Sequence, residues 1–330
     1  MVPDGARLTE PVTAPTPAAA GVTAVASALA PVAAADIGGT KIAVALVTPD
    51  GALLTEPVTA PTPAAAGAAG VIQRTVELLR PLVADGAGLV GVSSAGVIDS
   101  DTGAVVGATD HIAGWAGTAL GPELAQALGC PVRVLGDGHA FAVGEAAFGA
   151  GHGLDSVLVV AVGSGVGGSY VRHGRPLTGS HWAGGHLGHV AVPQAEGLPC
   201  LCGRTGHVEA VASGWGLLAN YRRLGGDRAV PSAKEVCELA GSDSLARQAV
   251  ETAGAALGAA VGGLANVLDP ALVIVAGSLT GAGPLWEAAL RGAYLDNLMP
   301  VIEQTPLSLA QAGTWPALRG AALYATLVVG

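Results

Sequence analysis

Two aliphatic runs that each fold back through a glycine-rich turn constrain this chain more than any other feature. Residues 32–37 run into Gly38-Gly39-Thr40 and out again through 41–47. Residues 156–162 run into Gly163-Ser164-Gly165-Val166-Gly167-Gly168 and out again through 167–172. In both places a strand must reverse within a few residues. Glycine, with no Cβ, permits the turn and leaves backbone N–H groups bare to an anion. No helix directly follows either turn, so neither is a dinucleotide fingerprint or a P-loop. Taken singly, a turn of this kind serves structure more often than a ligand. Repeated about 125 residues apart (Gly38 to Gly163), the pair predicts two related lobes facing one nucleotide, with two unrelated hairpins as the plainer alternative.

The remaining pattern predicts a mixed α/β fold. Strands are expected at 32–37, 41–47, 52–58, 88–93, 132–135, 156–162, 167–172 and 271–276. Helices are expected at 64–84, 121–128, 138–148, 208–222, 232–240, 244–268, 283–298 and 317–328. Ser232-Ala-Lys-Glu235 has the form of a capping box, and Pro122 suits a first helical turn. A length of 330 residues fits about two domains. We expect a small lobe over 32–120, completed by a C-terminal helix at 316–330, and a large lobe over 121–315. Residues 1–31 stand apart. The segment 3–21 recurs at 49–67 with one difference, Arg7 against Leu53, and two copies do not make a solenoid. The second copy fits a strand pair joined at Pro49-Asp50-Gly51. The first has no strand before it, so 1–31 reads as an appended, mobile Ala/Pro-rich extension.

Composition narrows the function. With 51% hydrophobic and 12% charged residues the chain has material for a core and is not a disordered polymer. The net charge is −10 and only Lys41 and Lys234 are lysines, so no basic face is available to nucleic acid. Mean hydropathy is +0.54, yet no run of 18 apolar residues escapes interruption by Gly, Pro or charge, and no membrane span is expected. Four cysteines do not make a disulfide framework, and the N-terminus lacks a secretory pattern, which together read as cytoplasmic.

Several residues are candidates for chemistry. Asp36, at a strand end, is placed to hold Mg²⁺ through water, and Thr40 and Lys41 to reach phosphate oxygens. A third turn, Ala276-Gly277-Ser278, fits either an adenosine contact or ordinary turn duty. Asp137 follows the strand at 132–135 and opens a helix. A helix cap is the simpler reading. The functional one is a general base for a hydroxyl, kept ionised by the helix N–H groups. His189, Cys200, Cys202 and His207 supply two imidazoles and two thiolates, which suits a closed tetrahedral Zn²⁺ site. Two reduced cysteines beside solvent-facing histidines is the alternative. Cys130 and Cys237 read as small core residues.

In this order, the pieces resemble the ROK family (repressors, open reading frames and sugar kinases), within the actin-like, hexokinase-like ATPase fold of ribonuclease H-like lobes. The resemblance runs from about Val32 to the C-terminus. Its most specific parts are Asp36-Ile-Gly-Gly-Thr-Lys41, Gly163-Ser-Gly-Val-Gly-Gly168, Gly184-Gly-His-Leu-Gly-His189 and Cys200-Leu-Cys-Gly-Arg-Thr-Gly-His-Val-Glu209. It implies a two-lobed kinase with Mg²⁺ and ATP in the cleft. The phosphate loops would be Asp36, Gly38, Gly39, Thr40 and Lys41, and Gly163, Ser164, Gly165, Gly167 and Gly168, with Gly277 also against the nucleotide. Asp137 would act on a hexose 6-hydroxyl. Gly96, Asp110 or His111, His186, His189 and Glu209 would surround the sugar, with zinc holding the loop that carries them. Trp115 reads as a lobe-packing residue, and a homodimer is implied. The family usually has Asn where this chain has Gly136, Cys where it has His207, and Glu where it has His186. The last departure is similar to some bacterial N-acetylmannosamine kinases and makes that the expected activity. Glucokinase or another ROK sugar kinase is the alternative, and a non-catalytic sugar sensor, favoured by Gly136 and Ser278, is the alternative of another class. A DNA-binding repressor is not expected, because the residues before Asp36 are too few and too Ala/Pro-rich for a winged helix-turn-helix.

Overall fold

The structure, a computed structural model, describes residues 30–310 and 315–327. β1 (Val32–Ile37) and β2 (Lys41–Val47) pair antiparallel through the first glycine turn, in register from Val32↔Val47 to Ile37↔Ile42. β3 (Val58–Pro61) joins β2, while β4 (Val90–Ser94) and β7 (Val132–Gly136) extend the other side in parallel, giving the order β3-β2-β1-β4-β7. A small hairpin, β5 (Val97–Asp99) and β6 (Ala104–Gly107), lies apart from that sheet. Side chains alternate across β1. Ala33, Ala35 and Ile37 bury against α1 (Gly67–Ala84) and α2 (Leu120–Leu128). Val32 and Ala34 bury against Leu318, Ala322 and Ala325 of α9 (Pro316–Leu327). A central strand covered on both faces is apolar throughout, which is why the sequence reads as an unbroken run.

The second sheet repeats the plan. β8 (Ser156–Val162) and β9 (Val166–Arg172) form the hairpin, β10 (Arg175–Pro176) extends it, and β11 (Leu272–Ala276) and β12 (Leu307–Leu309) add in parallel, in the order β10-β9-β8-β11-β12. One face packs on α3 (Asp137–Phe148) and on Ala321 of α9. The other packs on α4 (Glu209–Ala212), α5 (Gly214–Arg223), α6 (Ala233–Leu239), α7 (Ser244–Leu268) and α8 (Pro284–Asp296). Thus α9 seals the first sheet and also reaches the core of the second. It lies so close to α3 that a Cβ at Gly144 would strike Pro316 O and one at Gly320 would strike Ala140 O.

The structure departs from the sequence reading in four places. Residues just past 120 pack with the first sheet. Leu120, Leu124, Val132 and Val134 are buried in the first core, and β7 is the edge strand of the first sheet. The expected strand at 52–58 is reduced to a bridge between Leu53 and Val47, and regular pairing starts at Val58. There the Thr55 Oγ1 takes the Leu46 N–H at 3.0 Å, and Pro57 has no N–H to offer a ladder. The helix expected at 208–222 breaks at Ser213, which is extended and caps α5 by accepting the Gly216 N–H. The short strands β5, β6, β10 and β12 carry too few residues for a period to show. The extension at 1–31 lies outside the described residues apart from 30–31, as do 328–330 of the C-terminal helix. One described helix, α7, is long and apolar enough to cross a membrane by length and composition, and it forms part of the second core.

Candidate active site

β1, β4 and β7 all run in one direction and end at Ile37, Ser94 and Gly136; β8 and β11 end at Val162 and Ala276. Ligands of open α/β sheets bind outside such carboxyl ends. Here the residues that follow are Gly38, Asp137, Gly163 and Gly277, so the topology gathers segments far apart in sequence.

A cavity of about 530 Å³ opens among them, lined by Gly39, Gly96, His111, Trp115, Asp137, His186 and His189. Asp137 is the first residue of α3, and its Oδ1 accepts the Gly138 N–H at 2.7 Å. Its side chain is open to the cleft yet flanked closely by protein. Desolvation holds its carboxyl above the usual range, and the Asp36 carboxylate pushes the same way. Asp36 sits deeper at the end of β1, where Ser93 Oγ donates to its Oδ1 at 2.7 Å. Burial raises its carboxyl too, against the pull of Ser93 and the Lys41 ammonium. A carboxylate so desolvated suits a cation nearby, as the Mg²⁺ expectation requires.

The walls are fixed by backbone contacts. His111 Nε2 lies 2.9 Å from Gly39 O and so carries the hydrogen, joining the cavity to the first glycine turn. Buried Trp115 donates Nε1–H to Ala95 O at 2.9 Å, which holds the turn at Gly96, itself at φ +105°. His186 Nδ1 lies 3.0 Å from Ala183 O and is the donor there. In the neutral ring its Nε2 is therefore an acceptor. His139 Nε2 lies 2.6 Å from Gly184 O, and burial pushes its imidazole below the usual histidine range. Its Nδ1 faces Gly136 and would stand 3.2 Å from a Cβ there. His139 thus fills part of the space that the expected family Asn would use.

A second cavity, of about 630 Å³, is lined by Gly163, Ser164, Trp215, Lys234 and Ser278 among others. The loop 163–168 spans the two regions, since Gly168 N lies 3.5 Å from a Cβ position on Gly138. Gly277 has φ +98°, and any side chain there would strike Val162 O. Sequence reasoning did not single out Trp215 or Lys234 as site residues; their only signals are exposure and position in the fold. Three expected residues stand elsewhere. Lys41 Nζ lies 5.4 Å above the Trp315 ring centroid, a cation–π contact. Asp110 is exposed and leaves the cavity wall to its neighbour His111. Glu209 Oε2 accepts the Val166 N–H at 2.8 Å, inside the second glycine loop rather than on the cavity wall.

His189, Cys200, Cys202 and His207 come together with their ligand atoms all within 4.8 Å of one another. Cys200 Sγ is 3.7 Å from His189 Nδ1, and Cys202 Sγ is 3.3 Å from His207 Nδ1. With Zn–S of about 2.3 Å and Zn–N of about 2.0 Å, tetrahedral edges fall near 3.5 Å. The N₂S₂ donor set and its spacing therefore fit a closed metal site.

The ROK family model matches residues 32–327, and the chain belongs to that family. It is 35% identical over 280 residues to a glucokinase of Thermotoga maritima, covering 80% of this chain and 87% of that protein. It is 31% identical over 292 residues to an N-acetylmannosamine kinase of Yersinia pestis, covering 88% and 97%. Among solved structures, a ROK hexokinase from Thermus thermophilus superposes with a TM-score of 0.80 at 29% identity, covering 91% of this chain and 99% of that one. A ROK family glucokinase from Streptomyces griseus in complex with glucose and AMPPNP gives 0.73 at 28% identity, covering 90% and 100%. The actin-like ATPase fold of these neighbours is the fold of this chain.

Proposed function

We propose that this chain is an ATP-dependent kinase of a hexose 6-hydroxyl, with N-acetylmannosamine as substrate and glucose as the second reading. The observation that carries the proposal is the place of Asp137. It lies on the wall of the smaller cavity, within reach of Asp36 and beside the loop 163–168. A sugar hydroxyl is a poor nucleophile, and a carboxylate at hydrogen-bond distance takes its proton as the phosphoryl group transfers in line. The sugar occupies the smaller cavity and the nucleoside the larger, with the phosphates along the two glycine loops. Mg²⁺ would neutralise phosphate charge, with Asp36 binding its water. Zn²⁺ would be held by His189, Cys200, Cys202 and His207 with no open position, and so would be structural. His186 supports N-acetylmannosamine through the resemblance at that position, and its single Nε2 acceptor suits one amide N–H where a carboxylate would accept from several hydroxyls. The 35% identity to the Thermotoga maritima glucokinase supports glucose. Four cysteines outside any disulfide accord with a cytoplasmic location, and the homodimer implied by the resemblance is part of the same reading.

A coupled assay of ADP formation across glucose, mannose, N-acetylglucosamine and N-acetylmannosamine tests the proposal. The highest kcat/KM is expected for N-acetylmannosamine. Asp137→Asn is expected to lower turnover by about 10²–10⁴ while the protein stays folded. Unchanged turnover in that variant would remove Asp137 from the chemistry. Sugar binding with no ADP formed would make the chain a sensor.

A further inference from the structure

We propose that His139 selects the sugar by its 4-hydroxyl, which donates to the ring Nδ1 across the space beside Gly136. The inference rests on the reading of Asp137 as the base for a 6-hydroxyl. His139 is the third residue of α3 and only 6% exposed. Its Nε2 lies 2.6 Å from Gly184 O and so carries the hydrogen. Burial, with the His186 ring, outweighs the pull of the Gly184 and Leu177 carbonyls and keeps the imidazole neutral. A neutral ring that donates from Nε2 has a lone pair on Nδ1. A Cβ at Gly136 would stand 3.2 Å from that Nδ1 and 3.5 Å from Gly96 O. Two acceptors thus border one small space, and the group that suits it is a donor.

The backbone does not ask for glycine here. Gly136 has φ −60° and ψ 146°, values open to any residue. Its missing side chain instead opens a cavity of about 70 Å³, lined by His139 and Trp182 among others. This cavity shares Gly96, Asp137 and His186 with the larger one assigned to the sugar. A water takes about 30 Å³ in the liquid, so a hydroxyl group has room. Sugar chemistry says which hydroxyl. In a hexopyranose C6 hangs from C5, which bears no hydroxyl and stands between C4 and the ring oxygen. With the 6-hydroxyl at Asp137, the nearest further donor is the 4-hydroxyl, because the ring oxygen has no hydrogen. A site whose buried acceptor would be left unpaired rejects the analogue that lacks the donor.

The test is calorimetric titration of the full chain with N-acetylmannosamine and with glucose, each against its 4-deoxy analogue. The wild type is expected to bind the 4-hydroxy form about five- to thirtyfold more tightly. Two substitutions separate the two ring nitrogens. His139→Gln can still reach Gly184 O with its amide but offers nothing at the Nδ1 position, and its preference should fall to about twofold or less. His139→Asn places an amide oxygen near the Nδ1 position and gives up Gly184, and its preference should survive. Gly136→Ala leaves His139 in place and sets a methyl against Nδ1. It should also erase the preference, and it carries the test if the His139 variants do not fold. A full preference retained in His139→Gln and Gly136→Ala, or equal weakening of both sugar forms in every variant, would overturn the inference and leave His139 a structural residue. So would a wild type that binds both forms alike, with the kinase reading untouched. A wild type that binds no sugar would defeat that reading and the inference together.

Discussion

Asp137, open to the cleft but closely flanked by protein, and the half-buried Asp36 feel one another's charge, and this has opposite consequences for activity and stability. Burial and mutual repulsion raise the Asp137 carboxyl above its ordinary range. The folded state therefore binds that proton more tightly than the unfolded chain does. The group's contribution grows less favourable as pH rises through the unfolded value toward the folded one, and is unfavourable above both. Asp137→Asn should thus raise the melting temperature at pH 7 even as it abolishes most turnover. The difference in melting temperature should vanish in acid, where both states are protonated. The acid limb of the pH–rate profile should fall above the normal carboxylate range, because the base must be ionised to act. A limb at the ordinary aspartate value in kcat/KM, which reports the free enzyme, would contradict the burial argument.

Among the elements, the Cys/His loop and the α7–α8 pair show two ways of holding backbone together. The loop buries few apolar side chains beyond Val192 and Ala195, so bonds to the proposed metal would add much to its order. Removing the metal with a chelator, or replacing Cys202 by Ser, should lower both the bound zinc below one equivalent per chain and the melting temperature. Calorimetry and elemental analysis check this on one sample. The pair α7 and α8 relies on absence of side chains. Gly254, Gly258 and Gly262 recur one turn apart on α7 and face Trp286 O, Leu290 O and Tyr294 O. A Cβ at Gly258 would collide with Leu290 O, so the helices must separate. Gly258→Ala should cost about 1–3 kcal/mol in urea unfolding, despite the gain in helix propensity.

Over the whole molecule, α9 joins what the sequence spreads furthest apart. Its Arg319 donates Nε–H to Gly51 O at 2.7 Å, and its guanidinium lies 4.5 Å above the Phe148 ring centroid. Nearby, Glu145 on α3 is buried, which raises its carboxyl, and Arg319 opposes that rise. Arg319→Ala should therefore destabilise the protein most at neutral and alkaline pH. The deficit should narrow as pH falls through the folded Glu145 value, where the carboxyl is neutral and needs no cation. A deficit independent of pH would assign the loss to packing on Phe148 alone. Since α3 begins at Asp137, the same variant also reports whether disturbance at one end of that helix reaches the proposed base at the other.

What the residues determined unaided was whatever is local. The two hairpins were legible because glycine is needed where a strand reverses tightly. The Cys/His cluster was legible because thiolate and imidazole chemistry admits few uses. Asp137 was legible as a carboxylate opening a helix, but not as more than a cap without the resemblance. The rest needed the fold. That β7 belongs to the first lobe depends on which core buries Leu124 and Val134, which no period of two can express. That Lys41 rests on Trp315, and that Glu209 turns toward Val166, depends on chain segments more than 40 residues distant in sequence. Local sequence fixes the backbone's own geometry, but the partner of a side chain is chosen by topology, and topology brings those partners together only when the sheets have formed.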